Sequence, residues 1–167
     1  LIQTPSFVYA ETGTELKNFS AHQEQARMFL ARMSLAEKIG QMTQAELSHL
    51  ESHDEITELF LGSVLSGGNS DPQSGNDLAS WTAAVEDCQA AALKTPLKIP
   101  LLYGIDAVHG HSNLLDAVIF PHNIGLGCTR NADLVREVNR ITADEIRAST
   151  INWDFAPCVA VPRDVRW

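Results

Sequence analysis

The chain has 167 residues, 44% of them apolar, with 12 basic against 21 acidic side chains and a formal charge of -9. That length and apolar content allow a sizeable core without a disulfide framework, and point to one domain or part of one. The acidic balance argues against nucleic acid and anionic membranes as partners and favours neutral ones, and no apolar run reaches the roughly 20 residues of a membrane span.

Residues 1-18, with Pro5 and Gly13 and no hydrophobic period, read as an N-terminal arm. Leu1 is not a methionine and follows no basic, hydrophobic leader, so the expectation is that upstream sequence has been removed. Asn18-Phe19-Ser20 is a glycosylation sequon that matters only in a secreted eukaryotic chain. Ala26, Phe29, Leu30 and Met33 recur at helical spacing. Ser34 and Glu37 form a capping box, predicting a second helix through Ile39 and Met42 to about Leu47. Glu51 to Phe60 is acidic and weakly helical, and Leu61 to Ser66 is a short strand ending at Gly67 and Gly68. After a loop from Ser70, Asn76 or Asp77 caps a helix through Trp81, Val85 and Ala92, and Lys94 to Pro100 leads to the next strand.

That strand organises the rest. Leu101, Leu102, Tyr103 and Ile105 show no polar alternation, as in a parallel strand covered on both faces, and the run stops abruptly at Asp106, His109 and His111. In open α/β sheets and (β/α)8 barrels the C-terminal strand end is where ligands bind, because loops there carry polar groups on a rigid support. Ile119 to Gly127, broken by Pro121 and two glycines, reads as a shaped loop or short strand. Asn131 caps an amphipathic helix with Leu134, Val138, Ile141 and Ile146 on one face, ending near Ser149. Asn152 to Val161 reads as the next strand, and the succession of strands and helices predicts a parallel sheet.

Asp106, His109, His111 and His122 are the densest set of ligand-capable side chains, and a His-x-His at a strand end can hold a divalent metal. Only Asp116 lies near enough in sequence to add a carboxylate, so histidines bonded to backbone in a crowded loop are the competing reading. Gly125 and Gly127 begin a G-x-G pattern whose third glycine position is Arg130, which argues against a dinucleotide site. Arg163, Asp164 and Arg166 are expected to pair with each other or with carboxylates near Asp106. Cys88, Cys128 and Cys158 lack C-x-x-C spacing and are expected as small buried hydrophobes. No serine sits in a nucleophile elbow, Cys158 has no adjacent base, and the spacing of any carboxylate pair suited to glycosidic chemistry is not readable from sequence.

Five stretches taken together resemble one family: Met33 to Gln44, Gly62 to Gly68, Tyr103-Gly-Ile-Asp-Ala-Val-His-Gly-His111, Phe120-Pro-His-Asn-Ile-Gly-Leu-Gly127 and Phe155-Ala-Pro-Cys-Val-Ala-Val-Pro-Arg-Asp164. They are similar to the N-terminal part of glycoside hydrolase family 3, and within it to exo-acting β-glucan glucohydrolases and β-glucosidases. The resemblance implies an α/β fold in which 19-167 form the first part of a (β/α)8 TIM-like barrel, with the family's α/β sandwich domain outside this chain. It implies a retaining double displacement on terminal β-linked glucose of glucans and oligosaccharides, no metal or organic cofactor, and an extracellular or periplasmic location. The family's substrate-binding aspartate carries over to Asp106, with His109 and His111 shaping the pocket rather than holding metal.

Cys128 stands in place of a more usual alanine, and Asn131-Ala132 in place of Asp-Pro. The aminosugar-releasing branch has a different sequence after the aspartate. The family's sugar-binding arginine, Lys-His pair, nucleophilic aspartate and acid/base glutamate are expected beyond Trp167, so no residue here is named catalytic and the 167 residues alone are expected to be inactive. Two other readings stay open: a metal-dependent barrel hydrolase using His109 and His111, and a non-catalytic carbohydrate-binding piece.

Overall fold

The computed structural model describes residues 19–166 apart from 69 and 162. The arm expected over 1-18, with Asn18 of the sequon, lies outside the described residues. The chain divides into two compact units between Arg32 and Met33. In the first, a 3-10 turn at Phe19–His22 leads into α1 (Gln23–Arg32), where the helical spacing of Ala26, Phe29 and Leu30 is realised.

The second unit opens with α2 (Leu35–Gln41), whose start carries both halves of the capping box: the Glu37 N–H donates to Ser34 Oγ at 3.2 Å, and the Ser34 N–H to the Glu37 carboxylate at 2.8 Å. The helix stops at Gln41, short of the expected Leu47. Gln44–Glu46 instead forms β1, which pairs in parallel with β2 (Ser63–Ser66). Local propensity in Gln-Ala-Glu does not favour a strand; the neighbouring ladder supplies its backbone partners. The turn before β1 is tight. A Cβ on Gly40 would lie 2.2 Å from the Leu59 carbonyl oxygen, and one on Gly62 2.2 Å from that of Gln41, so glycine at both positions lets the end of α2 touch the start of β2.

Then come α3 (Asp54–Glu58), β2, and α4 (Leu78–Ala92), capped by Asp77 accepting from the Ser80 N–H at 2.8 Å. Next are β3 (Leu102–Ile105), α5 (Asn123–Cys128), α6 (Ala132–Ala148) and β4 (Trp153–Asp154). Asn131 caps α6 by accepting from the Leu134 N–H at 3.0 Å. The four strands lie in the order β1-β2-β3-β4, all parallel. Each strand sits beside its predecessor in sequence with a helical crossover between them. That is how a barrel wall winds, whereas a doubly wound sheet reverses direction at its middle.

The segment expected as a shaped loop or short strand, Ile119 to Gly127, contains α5, which begins two residues after Pro121. The strand expected over Asn152 to Val161 narrows to Trp153–Asp154, because Pro157 offers no N–H to extend a ladder. Of the cysteines, Cys88 is buried as expected and Cys128 and Cys158 are exposed.

The core joins the sheet to α4 and the end of α6: Val64, Trp81, Val85, Cys88, Tyr103, Ile105, Ile146 and Ile151 are all buried. Leu102, expected to be covered, is 50% exposed. It shares a sheet face with Gly104, and Phe155 covers only the Gly104 end, where an added Cβ would lie 2.7 Å from the Phe155 ring.

Candidate functional site

The two ends of β3 are built from different chemistry. At its N-terminal end the Leu101 N–H donates to Gln89 Oε1 at 3.0 Å, and the Leu101 carbonyl accepts from Gln89 Nε2 at 2.7 Å. The Asn152 amide bridges the same carbonyl at 3.0 Å and the Tyr103 N–H at 2.8 Å. These neutral side chains complete the bonding of a strand start that would otherwise bury bare peptide groups. Further along, the buried Tyr103 hydroxyl shares a 2.6 Å hydrogen bond with Ser66 Oγ, and burial pushes the phenol up to about 12.

At the C-terminal end the sheet delivers carboxylates. Ile105 pairs with Asp154 across the β3–β4 ladder, and Asp106 follows at once, exposed to solvent. No hydrogen bond to the Asp106 carboxylate is present among the described residues. Asp154 is half-buried, and its Oδ1 accepts from the Ala107 N–H at 3.0 Å. Burial pushes its carboxyl upward from the usual range; the Ala107 N–H works against that shift, and the charge of Asp106 adds to it.

The loop leaving Asp106 is pinned at several points. Gly110 takes φ +107°, and a Cβ there would fall 2.1 Å from the Val118 carbonyl oxygen. The Phe120 N–H donates to the His109 carbonyl at 2.7 Å, while His109 Nδ1 lies 2.9 Å from the Phe120 carbonyl. The His109 ring, partly exposed, lies against His122 with centroids 4.0 Å apart.

His111 goes elsewhere. It is 0% exposed, its Nε2 lies 3.2 Å from Ser149 Oγ, and its ring meets Trp81 edge-on at 5.6 Å. Burial pushes it down to about 4, which keeps it neutral at neutral pH. The His111 ring thus presents no atom to solvent and packs inside the loop. The two histidines therefore face different partners. Among the described residues no three of His, Cys, Asp and Glu converge as metal ligands.

Asp154 was missed from sequence because Trp153-Asp154-Phe155 reads as strand interior. The available signal was its place two residues into a predicted parallel strand, where a carboxylate rarely sits unless it marks the end. Of the terminal cluster, Arg166 pairs with Asp164 at 2.6 Å and holds its carboxyl down to about 2. A cleft of about 760 Å³ also opens between the turn after β1 and α4, lined by Leu50, His53, Asp71 and Asp87 among others; Asp106 is not part of it.

The family model described as "Glycosyl hydrolase family 3 N terminal domain" matches residues 34–167. A lysosomal beta glucosidase of Dictyostelium discoideum is 32% identical, over 83% of this chain and 19% of that protein. A periplasmic beta-glucosidase of Salmonella typhimurium is 33% identical, over 83% of this chain and 16% of that protein. Among solved structures, the exo-1,3/1,4-beta-glucanase from a Pseudoalteromonas species superimposes with a TM-score of 0.82 at 41% identity, covering 92% of this chain and 20% of that one. The chain thus spans between about a sixth and a quarter of the length of three curated relatives it matches.

Proposed function

The chain belongs to glycosyl hydrolase family 3, within that family's N-terminal domain, and from this we propose that it works in the hydrolysis of terminal non-reducing β-D-glucosyl residues from β-glucans and oligosaccharides. The reaction is a retaining double displacement, to which residues 34–167 contribute part of the glucose pocket. The carboxylates that attack and protonate the glycosidic bond belong to polypeptide outside these 167 residues.

One observation carries the reading: Asp106 is an exposed carboxylate, free of hydrogen bonds from described residues, at the C-terminal end of a parallel barrel strand. A carboxylate so placed has acceptor capacity left for two vicinal hydroxyls of a sugar. His109, tied to Phe120 and stacked on His122, shapes the rim of that pocket; His111 supports it from the core. No metal or organic cofactor takes part. The enzyme acts outside the cytosol, in keeping with the lysosomal and periplasmic relatives.

The test is Asp106→Ala in the full-length enzyme, assayed on an aryl β-glucoside and on β-gluco-oligosaccharides. Losing two charge-assisted hydrogen bonds that tighten in the transition state lowers kcat/KM by about 100- to 10,000-fold, with the thermal transition retained. Near-normal kinetics would remove Asp106 from the pocket. Glucose binding without turnover in the unmutated full-length enzyme would favour a non-catalytic carbohydrate-binding role.

A further inference from the structure

Among the described residues nothing hydrogen-bonds the Asp106 carboxylate to aim it, so its direction depends on the backbone that carries it. That backbone is leaving the sheet. The last ladder bond is the Phe155 N–H donating to the Ile105 carbonyl at 3.0 Å, on one side of Asp106. On the other side, Ala107 is 1% exposed and its N–H has passed beyond strand pairing. Asp154 Oδ1 meets that N–H at 3.0 Å, and Asp154 is itself the register partner of Ile105. Two bonds, from Asp154 and from Phe155 next to it, thus bracket Asp106, one through a side chain and one through backbone.

We propose that Asp154 is a positioning residue for Asp106: by holding the Ala107 N–H it fixes the peptide that follows the sugar-binding aspartate and so sets where that carboxylate points. The inference rests on the proposed role of Asp106. The arrangement has a built-in opposition, since a second carboxylate beside Asp106 repels it, and the bond from the Ala107 N–H offsets part of that repulsion by favouring the charged form of Asp154. Asparagine would supply the same acceptor without the charge; alanine would supply neither.

The experiment is a double-mutant cycle in the full-length enzyme, with kcat/KM on an aryl β-glucoside and the inhibition constant of glucose as readouts. Asp154→Ala weakens both by about tenfold in the otherwise unmutated enzyme, the effect of one hydrogen bond to a charged acceptor. In the Asp106→Ala background the same change has an effect of less than about twofold, because the residue it positions is gone. Asp154→Asn recovers most of the loss.

An equal loss in both backgrounds, or none in either, would overturn the inference by showing that Asp154 acts independently of Asp106. If Asp106→Ala alone has no effect, the role of Asp106 itself fails, a separate result visible in the same cycle. Should Asp154→Ala not fold, Asp154→Ser, whose shorter side chain draws the acceptor back from Ala107, runs the same comparison.

Discussion

The start and the finish of β3 hold the same strand by opposite means. At the start, the amides of Gln89 and Asn152 make four bonds to the backbone of Leu101 and Tyr103, every one between neutral groups. At the finish, one side-chain bond from Asp154 secures the exit of the strand, and a second carboxylate stands beside it without partners among the described residues. Neutral, saturated bonding gives rigidity and no chemistry, whereas an unsaturated charge keeps its capacity for a ligand at a cost in repulsion. Across a strand only four residues long, one end is thus saturated by neutral amides and the other carries carboxylates, the end at which (β/α)8 enzymes in general bind their ligands.

The contrast can be broken hardest at Gly110. An alanine there meets the Val118 carbonyl oxygen at 2.1 Å in a backbone of φ +107°, so the loop carrying His109 and His111 must rearrange. Gly110→Ala is expected to cost about 3 kcal/mol or more of stability and to lower activity with it, read from urea unfolding and kcat/KM in the full-length enzyme. A wild-type midpoint would mean that the loop relaxes freely and that its closure against Val118 does not organise this end.

His111 sharpens the comparison through pH. Its folded value, pushed down to about 4, lies below the ordinary 6.5, so the unfolded chain binds a proton that the folded chain refuses. The folded state therefore has its full stability above pH 6.5 and loses it as pH falls toward 4, by about 3 kcal/mol in all, levelling off below. His111→Gln, neutral throughout, should flatten that part of the stability profile measured by denaturant titration between pH 7 and 4. An unchanged slope in the variant would assign the acid sensitivity to other groups.

The smallest effect belongs to the strand start. Gln89→Ala strands the N–H of Leu101, which is 1% exposed, and removes one of two donors to its carbonyl. The expected cost is about 2 kcal/mol of stability, with kcat/KM per folded molecule unchanged within about twofold. A selective loss of glucose affinity in this variant would blur the division between the two ends.

Features decided within a few residues were legible in advance. Ser34, Asp77 and Asn131 cap helices because each needs only an amide two or three residues ahead. The place of Asp106 just past the end of β3 was legible because an apolar run ends on it. What escaped was decided by distant chain. Gln44-Ala-Glu46 becomes a strand because β2 lies alongside, and Asp154 reaches the Ala107 N–H only when β4 docks on β3. His109 and His111, two positions apart in the same motif, separate into a partly exposed ring and a buried one because Trp81 and Ser149 close over the second alone. The expected length of the second helix and of the last strand failed for the same reason: a pattern of side chains does not reveal which backbone donors a neighbour will claim.

The sequential strand order has a kinetic consequence. Ser63 pairs with Leu102 and Gly104 with Trp153, so each of β2, β3 and β4 joins the edge left by the strand before it. Loop closure at each step spans one helical crossover, which keeps the entropic barrier to adding a strand nearly constant. A sheet of this kind can be laid down in the direction of synthesis, with each emerging helix shielding the apolar face just formed while its strand's open edge receives the next one.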